Sequence, residues 1–258
     1  MKAETYRILD CHFNLFRDDR ERSDNYVAQS RRAGVQGACA FLSGMSTAGR
    51  LADDPNREPR ELHQRYPDFV FPFARVHPDD GPRATAELER LVRKEGFRGL
   101  KLSYNNKATD PTWLPIVQKA AELGIPILVH TFMGRAQRPE REQFPHEVDV
   151  LELVDLARRV PEARLIMSHY NLGDWEYGLK AVRDTPNIHP SVSGSGVDSD
   201  SVEMGVRECG AERIIFGTDG LSLLWSCVGK VLGARLSETE RRLIFADNLE
   251  RLLSARRV

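Results

Sequence analysis

Short apolar runs recur along this chain, and five of them close on a residue that can do chemistry. YRILDCHF (6–13) carries His12, FRGLKLS (97–103) Lys101, and IPILVHT (125–131) His130. RLIMSH (164–169) ends on His169 and RIIFGTD (213–219) on Asp219. A run of this length, rich in Ile, Val, Leu and Phe and bounded by turn formers, reads as a buried parallel strand. VQGACAFL (35–42), FVFPFARV (69–76) and NIHPSVSG (187–194) fit the same description. Helical periodicity fills the gaps, over 83–96, 111–124 (behind Asp110 as N-cap), 146–161, 201–210 and 237–255. Ser237 and Glu240 form a capping-box pattern at the start of the last one. Strand–helix alternation repeated eight times predicts an α/β fold with a parallel sheet. Eight units in 258 residues predict a single (β/α)8 TIM-type barrel occupying 1–258 as one domain.

In such a barrel, functional groups sit at the carboxyl ends of the strands, so side chains distant in sequence converge. His12, His130, His169 and Asp219 would then meet at one mouth, a donor set that suits a divalent ion, zinc first and manganese as the alternative. Period-two alternation puts Asp10, His12 and Asn14 on one face of the first strand, within reach of the same ion. Cys11, between them, is expected to pack outward under a helix. Arg75, Lys101 and Arg135 are candidates for binding a substrate carboxylate. Lys101 has two other readings: a carbamate bridging two metals, or neutralisation of a neighbouring carboxylate. His77 shares the face of Arg75. The stretches 43–59 and 132–145 exceed ordinary loop length and follow strand ends, where substrate loops live in this fold.

A formal net charge of −1 provides no global field for nucleic acid or an anionic membrane. No apolar run reaches membrane-spanning length, and MKAETYRILD has no signal-peptide core. The expectation is a cytoplasmic protein acting on a small molecule, with self-association left open. The four cysteines are scattered without a CxxC pair, which fits free thiols in a reducing compartment.

Taken together, DCH near the amino terminus, GLKL, PILVHT, LIMSH, IIFGTD and the closing DNLERLL resemble the amidohydrolase-related family. The branch in question is similar to aminocarboxymuconate-semialdehyde decarboxylase, and the resemblance runs from about Leu9 to Leu253. It implies a somewhat distorted barrel holding zinc or a similar ion. His12, His130 and Asp219 would take ligand positions, and His169 would be a ligand or hold the metal-bound water. The departure is Asn14, where many members carry the second histidine of an HxH pair; Asp10 or Asn14 would complete the site. The implied activity is hydrolysis of a small carbonyl ester, lactone or amide, with Asp219 or His169 handling the proton. Non-oxidative decarboxylation of a small acid is the alternative enzyme reading. A catalytically silent barrel acting as a binding protein is the alternative of another class.

Overall fold

The structure is a computed structural model that describes residues 6–43, 54–102, 108–132, 148–194, 196 and 199–255. Seven parallel strands lie in chain order: β1 (Ile8–Leu15), β2 (Val35–Leu42), β3 (Val70–Ala74), β4 (Gly99–Lys101), β5 (Pro126–Val129), β6 (Arg164–Met167) and β7 (Ile188–Pro190). Neighbours in sequence are neighbours in the sheet, as a chain of right-handed βα units requires. The helices among the described residues are α1 (Arg20–Arg32), α2 (Arg57–Arg65), α3 (Pro82–Glu95), α4 (Leu114–Glu122) and α5 (Val150–Arg159). They continue as α6 (Trp175–Val182), α7 (Ser201–Cys209), α8 (Leu224–Gly233), α9 (Glu238–Arg242) and α10 (Asn248–Ser254). None of the described helices is long and apolar enough to cross a membrane.

Local chemistry sets the boundaries. Gly96 takes the left-handed conformation that stops α3, φ 76°. Asp149 caps α5 through the amides of Leu151 and Glu152, so this helix starts later than its periodicity suggested. The Ser237–Glu240 capping box forms as expected. The long closing helix does not run straight. It is broken by a π-helical turn, Leu243–Asp247, between α9 and α10.

That break is tied to the last apolar run. Residues 214–219 form no regular strand, yet they hydrogen-bond to both β7 and β1. Ile215 N–H donates to Pro190 O (2.9 Å) and Val192 N–H to Ile215 O (3.0 Å). On the other side Cys11 N–H donates to Phe216 O (3.1 Å) and Asp219 N–H to His12 O (3.0 Å). Phe216 N–H turns away from the sheet to Ile244 O in the π-helical turn (3.0 Å). One amide is thus spent on the closing helix instead of on a ladder.

Two apolar clusters result. The larger lies between the sheet and the helices around it. The smaller is enclosed by the curled sheet and includes Leu9, Cys11, Cys39, Phe41, Phe73, Leu128, Ile166 and Ile215. Ala246, Leu249, Leu252 and Leu253 plug it from the end where the strands begin. Cys11 therefore faces inward and not under a helix, for a reason found in β1 below. All four cysteines are free and buried.

The plug is pinned by Asn248, which is fully buried and donates to Ala211 O (2.7 Å) and Ile214 O (2.8 Å). Asn248→Ala would leave Ile214 O unmet, while Ala211 O would keep only the amide of Ile214 (3.3 Å). We expect it to lower the unfolding free energy by about 1–3 kcal/mol, the cost of one buried group left unsatisfied. An unchanged urea midpoint would show that apolar packing alone holds the plug.

Candidate functional site

A β-bulge decides which residues of β1 reach the mouth. Asp10 pairs with Ala38 and Phe13 with Ala40, so β1 spends one more residue than β2 between these points. Such a bulge re-aims side chains. Asp10 and Phe13 both reach Tyr26 of α1 on the outer side, by a hydrogen bond and a ring stack. Cys11, His12 and Asn14 face inward, toward Ser191, His169 and Asp219. This corrects simple alternation: Asp10 does not share a face with His12 and Asn14.

Asp10 sits behind the mouth, with both carboxylate oxygens in use. Oδ1 accepts from the main-chain amides of His12 (2.8 Å) and Thr218 (2.9 Å). Oδ2 accepts from the hydroxyls of Thr218 (2.6 Å) and Tyr26. The acid thus fastens β1 to the segment that carries Asp219. Neither Tyr26 nor Thr218 carried a sequence signal, because each acts only through this contact.

At the mouth, His12, His169 and Asp219 each offer a ligand atom within 4.8 Å of the other two. His12 Nε2 is 3.1 Å from Asp219 Oδ1. Asn14 Nδ2 donates to Asp219 Oδ1 (2.8 Å) and to Asp219 O (3.1 Å), holding a residue whose φ is 72°. His130 stands beside His169, its Nδ1 3.1 Å from His169 Nε2. His12 Nδ1 is buried with no hydrogen-bond partner among the described residues.

The strand β6 ends at Met167, so His169 is not a strand residue. His169, Tyr170 and Asn171 are consecutive left-handed residues, with φ 63°, 52° and 68°. Such a run is costly for residues other than glycine. It is braced by Thr131, whose hydroxyl donates to Ser168 O (2.6 Å). Gly178 of α6 lets the turn approach, since a Cβ there would lie 2.3 Å from Tyr170 O.

Lys101 and Arg75 are both nearly fully buried at the ends of β4 and β3. The Lys101 ammonium lies 5.4 Å from the Phe41 ring centre, and the His12 ring packs on the same Phe41 at 5.2 Å. Arg75 Nη1 donates to Leu42 O (2.6 Å). His77 caps a short turn, accepting from Asp79 N–H (3.2 Å). Arg135 and most of the two long loops lie outside the described residues.

Comparison with known proteins gives a consistent picture. A family model described as Amidohydrolase matches residues 9–254. Among solved structures, a Staphylococcus aureus protein assigned to the amidohydrolases is 15% identical, with a TM-score of 0.79 over 96% of this chain and 99% of the other. The 2,6-dihydroxybenzoate decarboxylase from Rhizobium is 18% identical, TM-score 0.74, over 96% and 99%. A dihydroxybenzoic acid decarboxylase from a Polaromonas species, solved with manganese and the inhibitor 2-nitroresorcinol, is 16% identical, TM-score 0.77, over 98% of each chain. At these identities the likeness establishes the fold. No curated protein sequence matches the chain.

The electrostatics of the mouth favour neutral imidazoles. Burial, then the charges of His169, Lys101 and His130, holds His12 well below the usual imidazole value. Burial, then His169 and Lys101, does the same to His130. Burial lowers His169, partly offset by Asp219. The His12–Asp219 contact is short enough for an ion pair, but a neutral imidazole makes it an N–H···O hydrogen bond. Burial, then Arg75, pushes Lys101 down to about 7.

These shifts have a sign. Below the free imidazole value of about 6.5, the unfolded chain takes up protons that the native mouth refuses. The stability is present above that pH and is lost as pH falls. Each imidazole kept neutral adds a slope approaching about 1.4 kcal/mol per pH unit. Burial raises Asp10 to about 6 despite its hydrogen bonds, so Asp10 acts oppositely, losing stability as pH rises from about 4 to 6. A variant isolates the imidazole contribution. In metal-free protein between pH 7.5 and 5, His130→Gln should show a smaller acid loss of unfolding free energy than the native sequence. Identical pH dependence in both proteins would contradict the neutral assignment of His130.

Proposed function

We propose that this chain, which belongs to the amidohydrolase family, is a metal-dependent decarboxylase of a small, hydroxylated or otherwise electron-rich carboxylic acid. The observation that carries this reading is the gathering of His12, His169 and Asp219 at one mouth, with His130 in contact with His169. The donor set fits a divalent ion: imidazoles held neutral keep a lone pair available, and a carboxylate supplies charge. The orphaned His12 Nδ1 is a further polar atom that an occupant of the mouth would answer. His12, His169 and Asp219 would hold the ion, with His130 or Asn14 completing its surroundings; manganese or zinc suits these donors. A bound divalent ion would act as a Lewis acid on substrate oxygens.

The chain's own residues supply the rest. Arg75 places positive charge beside the mouth, and Lys101 adds to it when an anionic substrate favours its charged form; together they orient that substrate and stabilise charge left on carbon when carbon dioxide departs. In that step the bond between the carboxylate carbon and its neighbour breaks, and its electron pair stays on the neighbour, which then takes one proton. Asp219 is placed to relay it from solvent through Oδ2. Its side chain is 31% exposed, so it can exchange with solvent, and the side-chain contacts described for it fall on Oδ1. Arg135, which follows β5 in sequence, would add to substrate binding. The relatives named for dihydroxybenzoic acids suggest the substrate class.

We also infer that residues 214–219 complete a closed (β/α)8 barrel in a single domain, supported by their hydrogen bonds to β7 and β1. A cytoplasmic location accords with the free cysteines. Hydrolysis of an ester, lactone or amide is the second reading, favoured by the family's description.

One assay separates these readings. Protein loaded with manganese or zinc is offered a panel of hydroxybenzoic acids and a panel of carboxylated lactones and anilides, and carbon dioxide and hydrolysis products are followed. We expect carbon dioxide from the first panel, with one ion per chain by elemental analysis and reduced occupancy in Asp219→Ala. Lys101→Met should raise KM about tenfold or more, by removing a charge-assisted contact of about 1.5–3 kcal/mol. Hydrolysis without carbon dioxide would establish the second reading. No ion and no turnover would return the silent binding barrel.

A further inference from the structure

We propose that the Ser193–Gly194 turn after β7 is a tautomer lock on His169, fixing which ring nitrogen carries the proton and which keeps the lone pair. His169 Nδ1 lies 3.1 Å from the main-chain oxygen of Ser193. A carbonyl oxygen only accepts, so the neutral ring must carry its proton on Nδ1. Nε2 is then left with the lone pair. It points at His130 Nδ1, 3.1 Å away, which must therefore be the donor in that contact. One carbonyl thus sets the orientation of both imidazoles.

The turn is shaped to allow this contact. Gly194 has φ 101°, a conformation that side chains strain to adopt. A Cβ at Gly194 would sit 2.5 Å from His169 Nδ1, so any other residue would push the ring off the carbonyl. Gly194 is held through both its amide and its carbonyl. Gly194 N–H donates to Thr218 O (3.4 Å), the Lys230 ammonium of α8 donates to Gly194 O (3.0 Å), and Cys227 Sγ lies 3.7 Å from the same oxygen. The Ser193 hydroxyl, 3.3 Å from Nδ1, is itself tied to Ser191 (3.1 Å), which reaches Cys11 Sγ (3.2 Å). Ser193 and His169 are both buried, which shields the contact from competing water.

Ser193 and Gly194 are positioning residues: they act through His169. A ligating histidine usually donates its second N–H to such a partner, and losing the partner weakens ion binding about 10- to 100-fold. That consequence rests on the metal reading above; the tautomer does not.

The test is long-range proton–nitrogen NMR of metal-free protein labelled with nitrogen-15 at histidine, with His169 assigned by its loss in His169→Gln. We expect His169 as the Nδ1–H tautomer. The Nε2–H form in the native sequence would overturn the lock. Ser193→Ala keeps the carbonyl and should keep the tautomer. Gly194→Ala should lose the single-tautomer signature and bind manganese about 10- to 100-fold more weakly by calorimetry. A folded Gly194→Ala with native tautomer and native affinity would overturn the proposal. If Gly194→Ala does not fold, the tautomer of the native sequence decides. A native Nδ1–H signature with no manganese binding supports the lock and counts against the metal reading alone.

Discussion

The Asp10 carboxylate accepts four hydrogen bonds, from two main-chain amides and two hydroxyls, and it does so on three separate pieces of chain. It fastens the bulge of β1 to the amide of Thr218 and to Tyr26 on α1. His12 and Asn14 project from the first of these pieces and Asp219 from just beyond the second. Losing the acid would leave several buried donors unmet at once, at a cost of the order of 3–5 kcal/mol as for a broken buried charged network. An acid that first looks like a ligand thus acts as the clamp that brings ligand-type residues together.

The strain at the mouth is arranged around this clamp. Asp219, His169, Tyr170 and Asn171 all hold positive φ. Asn14 fixes Asp219 through both its carboxylate and its carbonyl. Thr131 and the Ser193 carbonyl fix the turn at His169. Pre-organisation of this kind costs stability locally and is maintained by the packed frame behind it. The plug of Leu249, Leu252 and Leu253 under the curled sheet supplies part of that frame.

Much of this was legible in sequence because burial writes a strong pattern. Apolar runs located all seven strands, and their polar last residues marked the ends that converge. The eighth run showed its position but not its irregularity, since nothing in RIIFGTD reveals that Phe216 N–H bonds to the closing helix. The bulge was equally hidden. One extra residue in β1 is invisible until its pairing with β2 is known, yet it reverses the faces of Asp10 and Cys11. Tyr26, Thr218 and Ser193 are ordinary residues in ordinary positions, and only tertiary contact gives them a role. In sequence Asn14 stands out as a departure from a histidine pair; its bonds to Asp219 give that departure a physical consequence.

The central claim is that the bulge turns His12 to meet His169 and Asp219 around one divalent ion. Pulsed electron paramagnetic resonance of the manganese-loaded protein tests it most directly, because directly bound imidazole nitrogens couple to the manganese spin. We expect couplings from at least two imidazoles, with one lost in His12→Ala. Stoichiometric manganese showing no nitrogen coupling, or a spectrum that His12→Ala leaves unchanged, would contradict it.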